Sequence, residues 1–435
     1  MNLRLSIAVV LLLPSAAFAQ GNPGPFGGLF GRAPERIGKA YRVFEIRTSS
    51  SAQYEQAVLD DSLPRGSVLE SGAIASLNVG GMFEERSTRF HLRLQSSGTY
   101  QQYLHAGSVG GTTVQTGATI NARVATRLSL DGSVNHLYTP FFQFHRRYPT
   151  FNVAGVLVEP SSPYVATVVA NNSYEAIGGF TSYYSKHSTL SASFSRRETR
   201  FTQLRDERMS INGMRSLWTR QLNRDFRFKL GYGRERVHHS STPADSFLHE
   251  VIDLGVDFER PLSLSRSTTL AFTTETSMFR RPGEDRHYRL NGRVLLNSRL
   301  RRTWQVSLSA TRLTEFMPGF VEPLFSDNVG ASVTGLFSRR VEAIFTGTAG
   351  RGVFGIDAAG PRGGHFMLAN GTTQLNVAVT RRLGLFVQHG FHFFELPPGA
   401  STIAPLDRLT RHTYVVGITA WIPLLTQERD ARDSR

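Results

Sequence analysis

The chain of 435 residues contains no cysteine. This excludes a disulfide scaffold, a thiolate-ligated zinc or iron–sulfur centre, a thiol nucleophile and the lipidated cysteine of a bacterial lipoprotein. Charge is scarce: Asp, Glu, Lys and Arg make up 19% of the residues, below the roughly 25% of soluble domains. Lysine is scarcer still, with 3 residues against 46 arginines, a bias that suggests a GC-rich genome more than a mechanism. Acids are outnumbered 34 to 49, which leaves a formal charge of +15. Past the N-terminus there is no run of 18 apolar residues, and the mean hydropathy of −0.21 is too polar for a bundle of membrane helices. There is no Gly-x-Ser-x-Gly elbow, no phosphate-binding loop and no dinucleotide fingerprint.

What is present begins with an address. Arg4 supplies a positive start, Ile7–Leu13 an apolar core and Ala17-Phe18-Ala19 a small-x-small cleavage site, so residues 1–19 read as a secretory signal peptide. Residues 20–39 are rich in Gly and Pro and read as a flexible periplasmic leader. Residues 40–425 carry the next signal, and 426–435 read as a polar C-terminal tail.

That next signal has period two. In 303–311, Trp304, Val306, Leu308 and Ala310 alternate with Gln305, Ser307 and Ser309. In 251–259, Ile252, Leu254, Val256 and Phe258 alternate with Asp253, Gly255 and Asp257. The same pattern recurs in 113–124, 226–232 and 288–296. Successive strand side chains point to opposite faces, so each segment is a strand with one apolar and one polar side. The segments run to about ten residues or more, where soluble strands average about five or six. No helical pattern interrupts them. Their apolar faces often end in aromatics: Phe83, Phe90, Tyr138, Tyr232, Phe258, Trp304, Phe393, Tyr414.

With the signal peptide, this pattern resembles a Gram-negative outer-membrane β-barrel protein of porin type. The resemblance implies an all-β, transmembrane, antiparallel up-and-down barrel in the cell outer membrane. Short connections near 85–88, 126–127, 186–189, 222–225, 261–266, 299–302, 338–340 and 381–383 would be periplasmic turns. Long ones, such as 104–112, 139–173, 236–249 and 395–411, would be extracellular loops. Seventeen segments from residue 73 onward, preceded by an upward strand at 40–47 and a loop through 50–70, give about eighteen strands, with sixteen as the alternative. The last segment (Tyr414, Val416, Ile418, Ala420, Ile422) is similar to the terminal strand read by the barrel-assembly machinery, although Pro423 and a polar tail follow it.

A barrel of this size leaves a wet lumen. The polar faces name its lining candidates: Arg93, Arg123, Arg227, Lys229, Asp253, Asp257, Arg289 and Arg293. Arg227 and Lys229 lie beside Asp253 and Asp257 on the neighbouring segment, so cross-strand pairing competes with a free positive lining. The longest connection, 139–173, stands where porins fold a loop inward. Its His145, Arg146, Arg147 and lone acid Glu159 are candidates for a constriction.

The expected function is passive passage of small hydrophilic solutes, with anions or oligosaccharides favoured by a positive field. The alternative is a non-conducting structural or partner-binding barrel of an envelope or exopolysaccharide-export system. No catalytic set, cofactor or metal is expected; His389 and His392, three apart on a strand, face opposite sides. Expected partners are outer-membrane lipid and lipopolysaccharide, the assembly machinery and, as an open alternative, copies of the same chain, but not nucleic acid.

Overall fold

A computed structural model describes residues 40–58, 71–104, 110–140, 150–151, 157–158, 169–202, 208–240, 247–261, 268–280, 286–300, 303–316, 320, 322–355, 364–397 and 408–429. The signal peptide, the leader and His145, Arg146, Arg147 and Glu159 lie outside the described residues.

Eighteen antiparallel strands form one closed sheet. They are β1 (Ala40–Val58), β2 (Gly72–Arg86), β3 (Phe90–Tyr103), β4 (Gly110–Ala125), β5 (Leu128–Thr139), β8 (Asn171–Ser185), β9 (Ser188–Phe201), β10 (Arg208–Gln221), β11 (Phe226–His239), β12 (Phe247–Pro261), β13 (Thr268–Arg280), β14 (His287–Leu300), β15 (Trp304–Glu315), β16 (Leu324–Ser338), β17 (Val341–Phe354), β18 (Gly364–Ala378), β19 (Leu383–Glu395) and β20 (Arg408–Arg429). Each pairs with its sequence neighbours, and β20 returns to pair with β1. Closure leaves no sheet edge and satisfies the backbone groups a bilayer would leave unpaired. Between β5 and β8, β6 (Thr150–Phe151) and β7 (Leu157–Val158) form a small hairpin of their own.

The two kinds of connection segregate to the two ends. At one end lie the short connections, two to four residues each, such as 126–127 between β4 and β5 and 222–225 between β10 and β11, except for the six residues 262–267 between β12 and β13. At the other lie the long loops, including 140–170 between β5 and β8. This gives periplasmic turns and extracellular loops.

Register fixes which side chains share a face. Phe83 pairs with Phe44 and Leu94, and Ile120 with Leu92. This face carries exposed Val134, Leu254, Tyr288, Val329 and Val416 all round the wall, and it is the lipid side. At its turn end an aromatic girdle closes the belt. Phe226 lies 4.8 Å from Phe258, which stacks at 5.2 Å on Phe272, and Trp304 meets Phe337 edge-on at 5.2 Å. Opposite Trp304 stands Gly335, where a Cβ would fall on the indole ring.

The structure corrects three boundaries. β1 extends to Val58 rather than ending at Arg47. Its second half (TSSSAQYEQAV) lacks the bulky alternation that marks a strand, yet it pairs along its length with β20. β20 runs to Arg429, past the boundary drawn at 425, and Pro423 sits just past a register shift between Phe44 and Glu45 of β1, a place where a missing N–H is tolerated. His238 and His239 belong to β11 and not to a loop. As strand neighbours they face opposite sides.

Candidate functional site

The other face of the same strands is polar around the whole circumference. Side-chain hydrogen bonds run along it from strand to strand: Ser51 to Ser76 at 2.6 Å, Asn78 to Thr99 at 2.5 Å, Ser173 to Thr199 at 2.9 Å, Asn291 to Ser277 at 2.6 Å and Thr348 to Asn370 at 2.6 Å. Alternation alone produces this. A strand with hydroxyls and amides at every second position buries no polar group in lipid if it turns that side inward.

Register places Arg93, Arg123, Arg227, Lys229, Asp257, Arg289 and Arg293 on this inner face, and Asp253 at an inward position opposite Gly231. They do not form one patch. Lys229 is buried, bonds Asp257 at 2.8 Å and reaches Thr273 on β13. Arg227 stands directly opposite Asp257. Arg289 places its Cζ over the Phe325 ring, 4.3 Å from the centroid. Arg123 is exposed and donates to the Thr126 carbonyl at 2.8 Å. Arg293 is exposed and has no carboxylate within ion-pair reach among the described residues; Arg299, three inner-face positions nearer the turn end, is the same.

The inner face also holds Glu275, an acid that the polar face of its segment already offered as lumen-lining; Arg215 reaches it across two strands at 3.0 Å. Other lining residues were not singled out by the sequence: Arg197 pairs with Glu175 at 2.7 Å, and Glu235 bonds His249 at 2.8 Å. Glu84 stands opposite Arg93. Glu45, 4% exposed, accepts a bond from the Trp421 indole at 2.9 Å. The inner acids are therefore as prominent as the bases. Much of the chain's excess positive charge sits elsewhere, in turns and on the outer face. Finding these acids required strand parity across a whole neighbour chain, which short alternating windows do not supply.

The inner face differs along its height. At the loop end it is packed: Ile74, Tyr103, Val237, Ser277, Leu324, Phe354, Leu409 and Thr413 are each under 3% exposed. Met209, Ile211, Val237, Phe247, Phe316 and Phe325 form a hydrophobic cluster there. Arg411, 0% exposed, pairs with Glu55, 1% exposed, at this level. Toward the turn end on β4, β11 and β14, Arg123, Arg227, Arg293 and Arg299 are exposed. Between the levels a cavity of about 550 Å³ follows β13–β17, lined by Thr273, Glu275, Arg293, Asn297, Ser307 and Glu315 among others.

His389 faces outward, 3.3 Å from His412, whereas His392 stands on the inner face opposite Arg411. Among the described residues no three His, Asp or Glu side chains converge as a metal site would require.

An apolar outer belt with an aromatic girdle, a polar lumen and full strand closure is the architecture of an outer-membrane β-barrel. No protein-family model matches the chain, and no curated protein matches it. Solved structures that it resembles include Pseudomonas aeruginosa OccK2 (OpdF), with a TM-score of 0.46 and 9% identity over 88% of this chain and 98% of that one. Acinetobacter baumannii OccAB4 gives 0.43 and 10% over 87% and 98%. The Pseudomonas aeruginosa outer membrane protein OpdK gives 0.41 and 10% over 87% and 99%. At these scores the likeness carries no argument of its own; the closed strand order, the apolar outer belt and the polar lumen together make the chain a porin-like, eighteen-stranded barrel of the outer membrane.

Proposed function

We propose that the barrel is a channel for passive diffusion of small hydrophilic solutes. The observation that carries this reading is the continuous polar inner face, with exposed charged side chains toward the turn end and a cavity of about 550 Å³ beside β14. A low-dielectric wall around such a lumen strengthens the field of its charges. Many inner charges are paired, so the field is set by those that are not. Among these, Arg293 and Arg299 on β14 and Arg123 on β4 outnumber the exposed acid Asp131 on β5, which gives the remainder a positive sign and favours small anions. The reading includes no catalytic step and no cofactor.

The test is single-channel conductance of the refolded protein in a planar bilayer under a KCl gradient. The expected result is steady conductance with a reversal potential toward chloride. Replacing Arg293 by Ser moves that potential toward potassium, by more than Arg289→Ser does, because Arg289 is held against Phe325. Unchanged selectivity in Arg293→Ser overturns the anion preference.

A second reading, a barrel whose lumen is filled and which acts by binding a partner outside, is favoured by one observation: the inner wall is buried at the loop end, around Arg411, Glu55 and Thr413. A correctly folded barrel without conductance selects it.

A further inference from the structure

The outer face of β9, β10 and β11 changes chemistry abruptly with height. Read from the turn end, β9 presents Leu190, Ala192 and Phe194 to lipid, and then Arg196, Glu198 and Arg200. On β10 the order is Trp218, Ser216 and Met214, then Asn212, Ser210 and Arg208. On β11 it is Phe226, Phe228, Leu230 and Tyr232, then Arg234 and Arg236. The register aligns these switches. Phe194 stands beside Met214, Arg200 beside Arg208, and Asn212 lies between Arg196 and Arg236. On β11 the step from Phe226 to Arg234 is eight residues, roughly 20 Å of height at the rise and tilt of a barrel strand, so the arginines begin where the hydrocarbon ends.

The cluster is built, not scattered. Glu198 is 7% exposed and accepts from Arg196 Nη2 at 3.3 Å, Arg200 Nε at 2.5 Å and Arg208 Nη2 at 2.9 Å. The three guanidinium side chains remain 55%, 60% and 44% exposed. One carboxylate thus lies beneath three cations and aims them outward. Arg234 and Arg236 add two exposed guanidiniums alongside, while Glu250 opposite Arg234 is engaged by the Tyr232 hydroxyl. Five guanidiniums against two carboxylates leave an uncompensated positive patch at a membrane surface. Just below it lie Phe194, Met214, Leu230 and Tyr232, between 45% and 57% exposed.

We propose that this patch binds the headgroup of a glycolipid carrying two phosphates in the outer leaflet, with its acyl chains laid along Phe194, Met214, Leu230 and Tyr232. Guanidinium groups bind phosphate oxygens through paired N–H donors, and a doubly phosphorylated head spans neighbouring arginines as a singly charged phospholipid does not. The proposal rests on the barrel's orientation in the membrane and not on conduction, so it survives a silent channel.

The probe is diphosphoryl lipid A added to the refolded full chain in detergent, with bound lipid read by native mass spectrometry. Wild type is expected to hold one equivalent and to prefer it at least about tenfold over phosphatidylglycerol and over the dephosphorylated analogue, a tenfold ratio corresponding to one power of ten in Kd. The triple variant Arg196→Gln/Arg200→Gln/Arg234→Gln is expected to lose that preference. Arg339→Gln, in a turn at the opposite end, is expected to keep it. Arg200→Lys, which retains charge but loses the paired donors, is expected to weaken binding partway and guards against a triple variant that fails to fold. Equal binding of phosphatidylglycerol or of the dephosphorylated analogue, or full binding by the triple variant, overturns the proposal.

Discussion

Two seams of the same wall are built very differently. β1 pairs with β20 along all 19 of its residues, joining the two ends of the barrel sequence. β14 and β15, joined by a short turn, pair only from Gly292 to Leu300 on the β14 side. Above that level side chains substitute for the ladder, as in the 3.4 Å bond from Thr314 to Asn291. Gly292, Arg293, Thr311 and Arg312 border both the inner cavity and an outer groove of about 730 Å³, so the wall is thin there. The closure seam brings together residues more than 350 positions apart and gains nothing from local connectivity, so it needs the longer ladder. The β14–β15 hairpin is held by its own turn and tolerates an open upper half.

The sharpest way to break this comparison is at Arg411. Its guanidinium and the Glu55 carboxylate are buried together on the inner side of the closure seam. Replacing Arg411 by Leu leaves a buried carboxylate without its partner, and the expected cost is about 3–5 kcal/mol. The double change Arg411→Leu/Glu55→Leu is expected to recover most of it, since an apolar pair of similar volume needs no solvation. Urea unfolding in detergent, followed by the loss of heat-modifiable gel migration, reads both. Equal destabilisation in the single and double variants would mean that packing, not charge, holds the seam.

A smaller effect is expected where the wall is pinned by one ring. Trp304 lies across Gly335 at the turn end of β15 and β16, and any Cβ there meets the indole. Gly335→Val is expected to cost about 1–3 kcal/mol by overpacking. The double variant with Trp304→Ala is expected to be closer to wild type than the sum of the singles. Additivity in the same unfolding assay would show that the ring does not rest on the glycine.

The sequence made much of this architecture legible, because one repeated physical demand, apolar toward lipid and polar toward water, writes itself as period two. Strand identity, the count of eighteen, the division into short turns and long loops, and the opposite facing of His389 and His392 all follow from that demand. The second half of β1 was hidden because Thr48, Ser50 and Ala52 face outward without bulk. The inner acids Glu45, Glu84, Glu175 and Glu235 were passed over because they sit near strand ends or in segments whose apolar face is weak. The outward arginines of β9–β11 emerge only when parity is carried through β8 from the strongest segments. Loop chemistry has no such repeat to betray it.

The mildest change should expose the weak seam without breaking anything. The natural absence of cysteine allows single labels to be placed at will. A spin label at Leu313→Cys, above the part of β15 that pairs with β14 and held by β16 alone, is expected to be more mobile than one at Ser51→Cys, which sits on the inner face of β1 between two full ladders. Backbone amides of residues 287–291 are expected to exchange faster than those of 48–55, since the former have a ladder partner on one side only and the latter on both. Stability should be untouched in both labelled proteins. Equal mobility and equal exchange at the two sites would mean that the side-chain bonds around Asn291 and Thr314 hold the upper wall as firmly as backbone pairing holds the closure, and the distinction between the two seams would then be one of appearance only.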